Sequence, residues 1–177
     1  MFVLVLGAAA FVAAARLERV SMLRPAGVAT INDGDSITIA GERIRLRGID
    51  APELDQTCQK DGADYACGRQ SLDALRALTD GRNVECIGWE RDRYRRLLAV
   101  CGVGGKELNA AQVEAGWAVA YGQYEAEEGR ARDAKVGLWG GSFDPPRDWR
   151  ARYGSLLEGE HDLGARLINM LRELFRI

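Results

Sequence analysis

The sequence predicts an α+β domain built around a small closed β-barrel. Three short strands joined by tight turns come first, one helix follows, and two further strands precede two more helices. Five short strands with a helix inserted after the third are typical of a five-stranded barrel of the OB type. The chain has 177 residues, which is enough for one such domain with a hydrophobic core and for appendages at either end.

The first three strands are predicted from β-branched and alternating segments. The runs Val28–Ile31 and Ser36–Ile39 are rich in β-branched residues, and the turn sequence Asn32–Asp35 separates them. After a second turn at Ala40–Gly41, the segment Arg43–Ile49 alternates charged and apolar residues with a period of two. The three strands therefore form a meander.

Leucines at helical spacing predict the first helix over Gly68–Thr79, and Gly81 is placed to cap its C-terminus. The segments Val84–Trp89 and Leu97–Cys101 predict two more strands on either side of the charged connection Glu90–Arg96.

The remaining helices are predicted from capping signals. Asn109 and Gln112 form an N-x-x-Q capping box, which opens a helix that stops at Gly116. A third helix is predicted over Glu125–Lys135. The pair Pro145–Pro146 closes the domain near residue 150.

The composition changes on either side of the domain, which we place at residues 26–150. Residues 1–20 begin with fifteen uncharged residues, which is typical of a signal peptide and short for a membrane span. We predict a signal peptide or a membrane anchor here, with membrane contact through this segment, over the alternative of a buried N-terminal helix. Residues 151–177 are predicted to form an amphipathic helical tail, whose stripe from Leu163 to Leu174 packs on the domain, a second copy or a membrane.

The composition also excludes several classes of protein. His161 is the only histidine, so catalysis by paired histidines and metal sites with several histidines are impossible. It lies in a polar stretch, and we interpret it as a surface residue. The net charge of −2 excludes a protein that binds nucleic acid or membranes simply by being basic overall. Hydrolytic chemistry would rest on carboxylates, arginines and an oxygen-ligated metal ion.

Four cysteines allow three pairings, and strand geometry favours one of them. If the last two strands form a hairpin, Cys86 and Cys101 lie opposite each other and within disulfide range. Cys58 and Cys67 then close a small loop between the third strand and the first helix. Two disulfides agree with an exported chain, whereas the alternative is four reduced cysteines in the cytosol.

Three charged clusters are candidates for chemistry, namely Asp33–Ser36, Arg45–Glu53 and Arg91–Arg96. Taken alone, paired aspartates in a turn and a charged hairpin tip are typical of solvated turns. The middle cluster is less usual, because an arginine strand face runs directly into the carboxylates Asp50 and Glu53.

Taken together, the order and spacing of these motifs resemble the staphylococcal nuclease (thermonuclease) family. The resemblance covers about Val28 to Trp139, and its segments are DGDS at 33–36, RLRGIDAPE at 45–53, DRYRR at 92–96, Asn109, and AGWAVAY at 115–121. It implies an OB-fold barrel. It also implies a calcium-dependent endonuclease that hydrolyses phosphodiester bonds of DNA and RNA and leaves 3′-phosphate ends.

The resemblance further implies roles for individual residues. The residues that match calcium ligands are Asp35, Asp50 and, through its backbone carbonyl, Ala51. The residues that match catalytic groups are the phosphate-binding Arg45 and Arg96, and Glu53, which handles the attacking water. The residues that match the nucleotide pocket are Tyr94, Tyr121 and the neighbouring cation Arg93.

Three positions depart from the family pattern. Ser36 replaces a threonine and keeps its hydroxyl group, and Ala51 replaces a threonine but keeps the backbone carbonyl. Arg95 replaces a turn glycine. If that glycine has a positive φ, the hairpin tip must change shape around Arg95, which would displace Arg96.

General chemistry favours the same residues without the family. Arginines form paired hydrogen bonds with phosphoryl oxygens and stay charged at any relevant pH. Calcium takes carboxylate, carbonyl and water oxygens, so Asp35, Asp50 and Ala51 can supply its ligands without histidine. Glu53 lies three residues from Asp50, near enough to hold a water molecule and accept its proton.

Two alternative functions use the same residues differently. One is a catalytically silent OB-fold module that binds nucleic acid or protein, and the other is a hydrolase of lipid or another phosphodiester. We expect a monomer that acts on DNA and RNA. We also expect an exported protein, periplasmic, secreted or membrane-anchored, with a cytoplasmic location as the alternative.

Overall fold

The computed structural model describes residues 22–153, which begin with seven short strands before the first helix. The strands are β1 (Ala26–Val28), β2 (Thr30–Ile31), β3 (Ser36–Ile39), β4 (Glu42–Leu46), β5 (Ile49–Asp50), β6 (Cys58–Lys60), β7 (Ala63–Tyr65), β8 (Asn83–Arg91), β9 (Leu97–Val103), β10 (Lys106–Glu107) and β11 (Val119–Ala120). The helices are α1 (Cys67–Thr79), α2 (Leu108–Glu114), α3 (Glu125–Asp133) and α4 (Pro146–Tyr153), with a 3-10 helix at Gly137–Gly140.

One mixed sheet forms a nearly closed barrel. Its strand order is β1-β8-β9-β4-β3-β2, and β10 pairs with β9 beside this path. The edge strands β1 and β2 are separated in sequence by Ala29 alone, so the sheet must curl until its two edges approach each other. The pair β4 and β9 is parallel, whereas the other neighbours are antiparallel. The prediction of an α+β domain with an OB-type barrel is confirmed.

Alternating apolar side chains fill the interior of the barrel. Ile37 and Ile39 of β3 and Ile44 and Leu46 of β4 are fully buried, and each such side chain stabilises the fold by about 1.5–3 kcal/mol. The period of two places Arg45, between Ile44 and Leu46, on the opposite face of β4. Other core side chains come from β8, β9, α1 and α2, namely Val84, Leu97, Leu75, Leu108 and Val113.

Two predicted strands are divided. The predicted strand Arg43–Ile49 breaks because the chain turns at Gly48, whose φ is 79°. As a result β4 ends at Leu46, and β5 pairs with β11 instead of continuing beside β3. The predicted strand Val28–Ile31 divides at Ala29, because β1 pairs with β8 whereas β2 pairs with β3. Neither the hairpin β6–β7 nor helix α4 follows from the sequence pattern, because no β-branched run or apolar period marks them.

The prediction that Asn109 caps a helix was wrong, although the helix itself is confirmed. Helix α2 begins at Leu108, with Glu107 as its N-cap residue. The Asn109 side chain is fully buried and donates hydrogen bonds to the carbonyls of Arg47 (2.8 Å) and Ala99 (3.2 Å). Its Oδ1 accepts a hydrogen bond of 3.0 Å from the backbone N–H of Cys101. Asn109 therefore ties α2 to the barrel instead of capping it.

Both predicted disulfides are present. Cys86 and Cys101 are register partners on β8 and β9, with their Cα atoms 4.0 Å apart. Cys58 on β6 is joined to Cys67 at the start of α1, and their Cα atoms are 5.6 Å apart. The second bond closes the loop between the barrel and α1, as expected.

The predicted signal peptide or anchor at residues 1–20, His161 and the amphipathic stripe from Leu163 lie outside the described residues. The predicted tail begins inside α4, which extends to Tyr153. None of the helices within residues 22–153 is both long enough and apolar enough to cross a lipid bilayer.

The Cys58–Cys67 bond can be tested by removing it. We expect the Cys58→Ala/Cys67→Ala variant to lose about 2–3 kcal/mol of unfolding free energy, because the open loop gives the unfolded chain more conformational freedom. Urea unfolding of both proteins measures the loss. Thiol titration of the denatured, unreduced wild type is the control, and four reactive thiols there would contradict both disulfides.

Candidate active site

A buried arginine between two buried aspartates forms the centre of the candidate site. Arg45 on β4 donates one hydrogen bond to Asp35 Oδ1 (3.2 Å) and another to Asp50 Oδ1 (2.8 Å). All three side chains are at least nine-tenths buried. Asp35 Oδ2 also accepts a hydrogen bond from the backbone N–H of Ala51 (2.9 Å). Asp35 and Asp50, the predicted metal ligands, therefore both contact Arg45, which is predicted to bind phosphate.

The turn that carries Asp35 packs against helices α1 and α2. A Cβ atom on Gly34 would lie 2.7 Å from the Ala51 Cβ and would also collide with Ser71 of α1, so only glycine fits. The buried amide of Gln112 donates hydrogen bonds to the carbonyls of Gly34 (3.1 Å) and Ser71 (2.8 Å). The N-x-x-Q pattern predicts a capping role for Gln112 and gives no sign of this supporting role.

The electrostatics of the site favour the neutral form of Asp35. Burial is the main cause that raises the pKa of Asp35 to about 8, from an ordinary 3.8. The positive charge of Arg45 and the Ala51 N–H act against this shift, while the negative charges of Asp33 and Asp50 add to it. A cation bound beside Asp35 would therefore stabilise a carboxylate that burial disfavours.

Glu53 follows on the loop after β5 and has a different environment. Its side chain is 39% exposed, whereas that of Asp50 is 3% exposed. The loop is fixed by the backbone N–H of Glu53, which donates to Gln56 Oε1 at 3.2 Å, and by Gly68, where a side chain would collide with the Glu53 carbonyl. Glu53 thus presents a carboxylate to solvent at the edge of a buried acidic centre.

Helix α4 adds a second arginine that sequence analysis did not identify. Arg150 donates to both oxygens of Asp50, at 3.1 Å (Oδ1) and 3.0 Å (Oδ2). It also donates to Glu53 Oε1 at 2.9 Å. A contact between residues about a hundred positions apart leaves no local pattern in a single sequence.

The donor set fits an oxygen-preferring cation. Two buried carboxylates and the adjacent backbone carbonyl of Ala51 are hard oxygen ligands, and water can complete the six to eight ligands that calcium takes. Within residues 22–153, however, no three side chains of His, Cys, Asp or Glu are arranged to hold a metal ion on their own. A cation beside Asp35 and Asp50 would therefore need backbone and water oxygens to complete its ligands.

The third predicted cluster, Arg91–Arg96, forms the turn between β8 and β9, and Asp92 organises it. The Asp92 carboxylate accepts hydrogen bonds from the backbone N–H groups of Tyr94 and Arg96, both at 2.9 Å. It also forms an ion pair with the Arg96 guanidinium at 2.7 Å. Arg96 lies directly before β9, where Leu98 is the register partner of Arg45. The parallel pairing of β4 and β9 thus brings the turn to the strand that carries Arg45.

Arg95 lies in the turn in the left-handed backbone conformation, which favours glycine. Arg95 has a φ of 64°, and its backbone N–H donates to the Asp92 carbonyl at 2.8 Å. The conformation that favours glycine is thus adopted by a side chain that disfavours it, at a cost of about 1–2 kcal/mol.

The residues assigned to nucleotide binding lie at two places. Arg93 and Tyr94 are on the turn, where the Arg93 guanidinium lies 4.8 Å from the centre of the Tyr94 ring and donates to its hydroxyl at 2.9 Å. Tyr121 follows β11, and its backbone N–H donates to the Gly48 carbonyl at 2.8 Å. Because β11 pairs with β5, Tyr121 is adjacent to the strand that ends in Asp50.

Comparison with known proteins places these features in a family. Residues 43–141 match the family model described as staphylococcal nuclease homologue. The chain is 40% identical over 121 residues to the succinoglycan biosynthesis protein ExoI of Rhizobium meliloti, a match that covers 64% of this chain and 63% of that protein. It is 37% identical over 137 residues to a protein of Escherichia coli O157:H7 named uncharacterized endonuclease, covering 71% and 84% of the two chains.

A more distant relative extends the comparison to plants. The staphylococcal-like nuclease CAN1 of Arabidopsis thaliana is 29% identical over 116 residues, which cover 62% of this chain and 33% of that protein. The barrel, the buried acidic site and these matches define one class of protein, a nuclease-type OB fold. The chain belongs to the staphylococcal nuclease family.

The raised pKa of Asp35 predicts how its contribution to stability changes with pH. A carboxyl group with a raised pKa stabilises the fold below pH 3.8, and this contribution is lost as the pH rises toward about 8. The Asp35→Asn side chain cannot ionise. We therefore expect wild type to lose more than about 1 kcal/mol of unfolding free energy relative to this variant between about pH 4 and about pH 8. Urea unfolding with EDTA measures both proteins, and a constant difference would contradict the shift.

The left-handed conformation of Arg95 predicts that glycine stabilises the turn. Arg95→Gly removes the steric strain of a positive φ, which outweighs the added freedom of the unfolded chain. We expect a gain of about 0.5–1 kcal/mol in unfolding free energy, measured by urea unfolding. Arg95→Ala is the matched control, because it removes the same exposed side chain and keeps the strain. Equal effects of the two substitutions would show that the backbone is not the cause.

Proposed function

We propose that this protein is a calcium-dependent endonuclease that hydrolyses phosphodiester bonds of DNA and RNA and leaves 3′-phosphate ends. The observation that carries the proposal is the contact of Asp35, Arg45 and Asp50 in one buried cluster, with Glu53 exposed at its edge. Membership of the staphylococcal nuclease family and relatives named as endonucleases support the class of reaction. The calcium requirement and the products are inferences from the resemblance and the donor chemistry.

Each reacting group has a residue suited to it. A water oxygen attacks phosphorus, and Glu53 accepts the proton of that water. The bond from phosphorus to the 5′ oxygen breaks, so the phosphate stays on the 3′ oxygen. The released 5′ oxygen takes a proton from solvent, and Glu53 then returns its proton to solvent. Arg45 and Arg96 donate hydrogen bonds to the phosphoryl oxygens, where negative charge grows in the transition state. Calcium, when bound by Asp35, Asp50 and the Ala51 carbonyl, would neutralise charge on the phosphate and orient it.

The aromatic residues suit a nucleotide substrate. Tyr94 is 40% exposed on the turn beside Arg96 and Arg93, so a base can stack on its ring. Tyr121 follows β11, which pairs with β5. Stacking uses only the face of the base, so it does not depend on the base or on the sugar. It therefore suits both DNA and RNA as substrates.

We also propose that the protein is exported and acts as a monomer. The two disulfides support export, because they persist in oxidising compartments. The leader predicted at residues 1–20 would direct that export or anchor the chain in a membrane.

The activity is tested by assaying purified protein on DNA and on RNA with calcium and with EDTA. We expect cleavage with calcium, none with EDTA, and 3′-phosphate ends on the products. Glu53→Gln and Arg96→Ala should each lower the rate by about 10²–10⁵, because each removes a group that acts in the transition state. Cleavage of a phosphodiester lipid instead of nucleic acid would indicate the alternative substrate class.

The matched control for Arg96→Ala is Arg76→Ala. Arg76 lies on α1, and its exposed side chain pairs with Asp73 at 2.6 Å, outside the turn between β8 and β9. The substitution removes the same charge and should leave the rate within about threefold. A folded wild type that binds nucleic acid with calcium and cleaves none would contradict the proposal and favour a silent binding module.

A further inference from the structure

We propose that Arg150 of α4 is a positioning residue that holds the carboxylates of Asp50 and Glu53 in a fixed relation. Its guanidinium contacts both Asp50 oxygens, at 3.1 and 3.0 Å, and Glu53 Oε1 at 2.9 Å. It is the link between the residue proposed to bind metal and the residue proposed to accept a proton. The inference rests on the proposed function.

The exposure of the three side chains shows what Arg150 restrains. Asp50 is 3% exposed and is already held by Arg45, so its position does not depend on Arg150 alone. Glu53 is 39% exposed and sits on a loop, where its carboxylate would otherwise sample several rotamers. Arg150, at 16% exposure, joins the partly exposed carboxylate of Glu53 to the buried one of Asp50.

The position of α4 is fixed by contacts other than Arg150. The buried side chain of Gln56 donates from Nε2 to the Asp144 carbonyl at 2.8 Å, just before the helix. The same side chain accepts from the Glu53 N–H through Oε1 at 3.2 Å, so one amide joins the Glu53 loop to the start of α4. Gln59 and Ser142 exchange two backbone hydrogen bonds at 2.9 and 2.8 Å. A variant of Arg150 should therefore keep α4 in place.

The chemistry requires an arginine at this position. A planar guanidinium offers several N–H donors in fixed directions, so it can bind two carboxylates at once. A lysine ammonium keeps the charge but is a single point, and it cannot hold both groups in the same geometry. A residue that only balanced charge would be replaced by lysine without loss.

The matched pair of variants is Arg150→Ala and Arg152→Ala. Arg152 lies on the same helix and forms an exposed ion pair with Asp144 at 2.7 Å, outside the acidic cluster. At saturating calcium we expect Arg150→Ala to lower kcat about 10–10²-fold while KM changes less than about threefold, because the proton acceptor is misplaced but substrate still binds. Arg152→Ala should keep wild-type kcat, and Arg150→Lys should recover only part of the loss.

Two further readouts separate positioning from a general loss of structure. Millimolar guanidinium chloride should restore part of kcat in Arg150→Ala, because the ion can enter the space left by the side chain, and should not affect Arg152→Ala. Calorimetric titration with calcium alone should show equal or tighter binding in Arg150→Ala, because a positive charge beside Asp50 has been removed. Thermal unfolding confirms that each variant is folded.

The outcomes are distinct. Wild-type kcat in Arg150→Ala, equal losses in both alanine variants, full activity in Arg150→Lys, or weaker calcium binding in Arg150→Ala would each overturn the positioning role. An inactive wild type would instead overturn the proposed function, and the two failures are distinguished because wild type is measured in the same assay.

Discussion

Two buried carboxylates that share one buried arginine are the constraint on which the site depends. Burying an ionised carboxylate without a partner is strongly unfavourable. Asp35 and Asp50 are both almost fully buried, and they share Arg45, which is itself buried on the outer face of β4. The barrel therefore has to bring a turn, a strand and the start of a loop together within hydrogen-bonding distance of a single guanidinium.

Two buried amides of α2 do much of this positioning. Asn109 binds the carbonyls of Arg47 and Ala99 on neighbouring segments, and so fixes the end of β4 against β9. One turn further along the helix, Gln112 binds the Gly34 carbonyl and thereby fixes the turn that carries Asp35. Buried N–H donors are costly unless they are satisfied, and these carbonyls satisfy the side-chain donors of both amides, which makes the arrangement specific. A short helix thus sets the separation of the elements that form the acidic cluster.

The barrel could be predicted from the sequence, whereas part of the site could not. Strands β3 and β9 follow from local β-branched and apolar runs, and the Cys86–Cys101 bond follows from the geometry of one hairpin. The break at Gly48 depends on long-range strand pairing, because β5 pairs with β11. Arg150 is more distant still, since its contacts join α4 to a strand end about a hundred residues earlier. Motif resemblance located the acidic residues but not the groups that orient them.

The charge of the cluster explains why a chain with a net charge of −2 can suit a polyanionic substrate. Asp33 is hydrogen-bonded within its own turn by the Asp35 N–H and the Ser36 hydroxyl, and its negative charge acts on Asp35 together with that of Asp50. Arg45 and Arg150 offset part of the acidic charge of this cluster. If calcium binds as proposed, its two positive charges offset the two carboxylates that remain in excess. The loaded site would then no longer repel a phosphodiester, although the whole chain is slightly acidic.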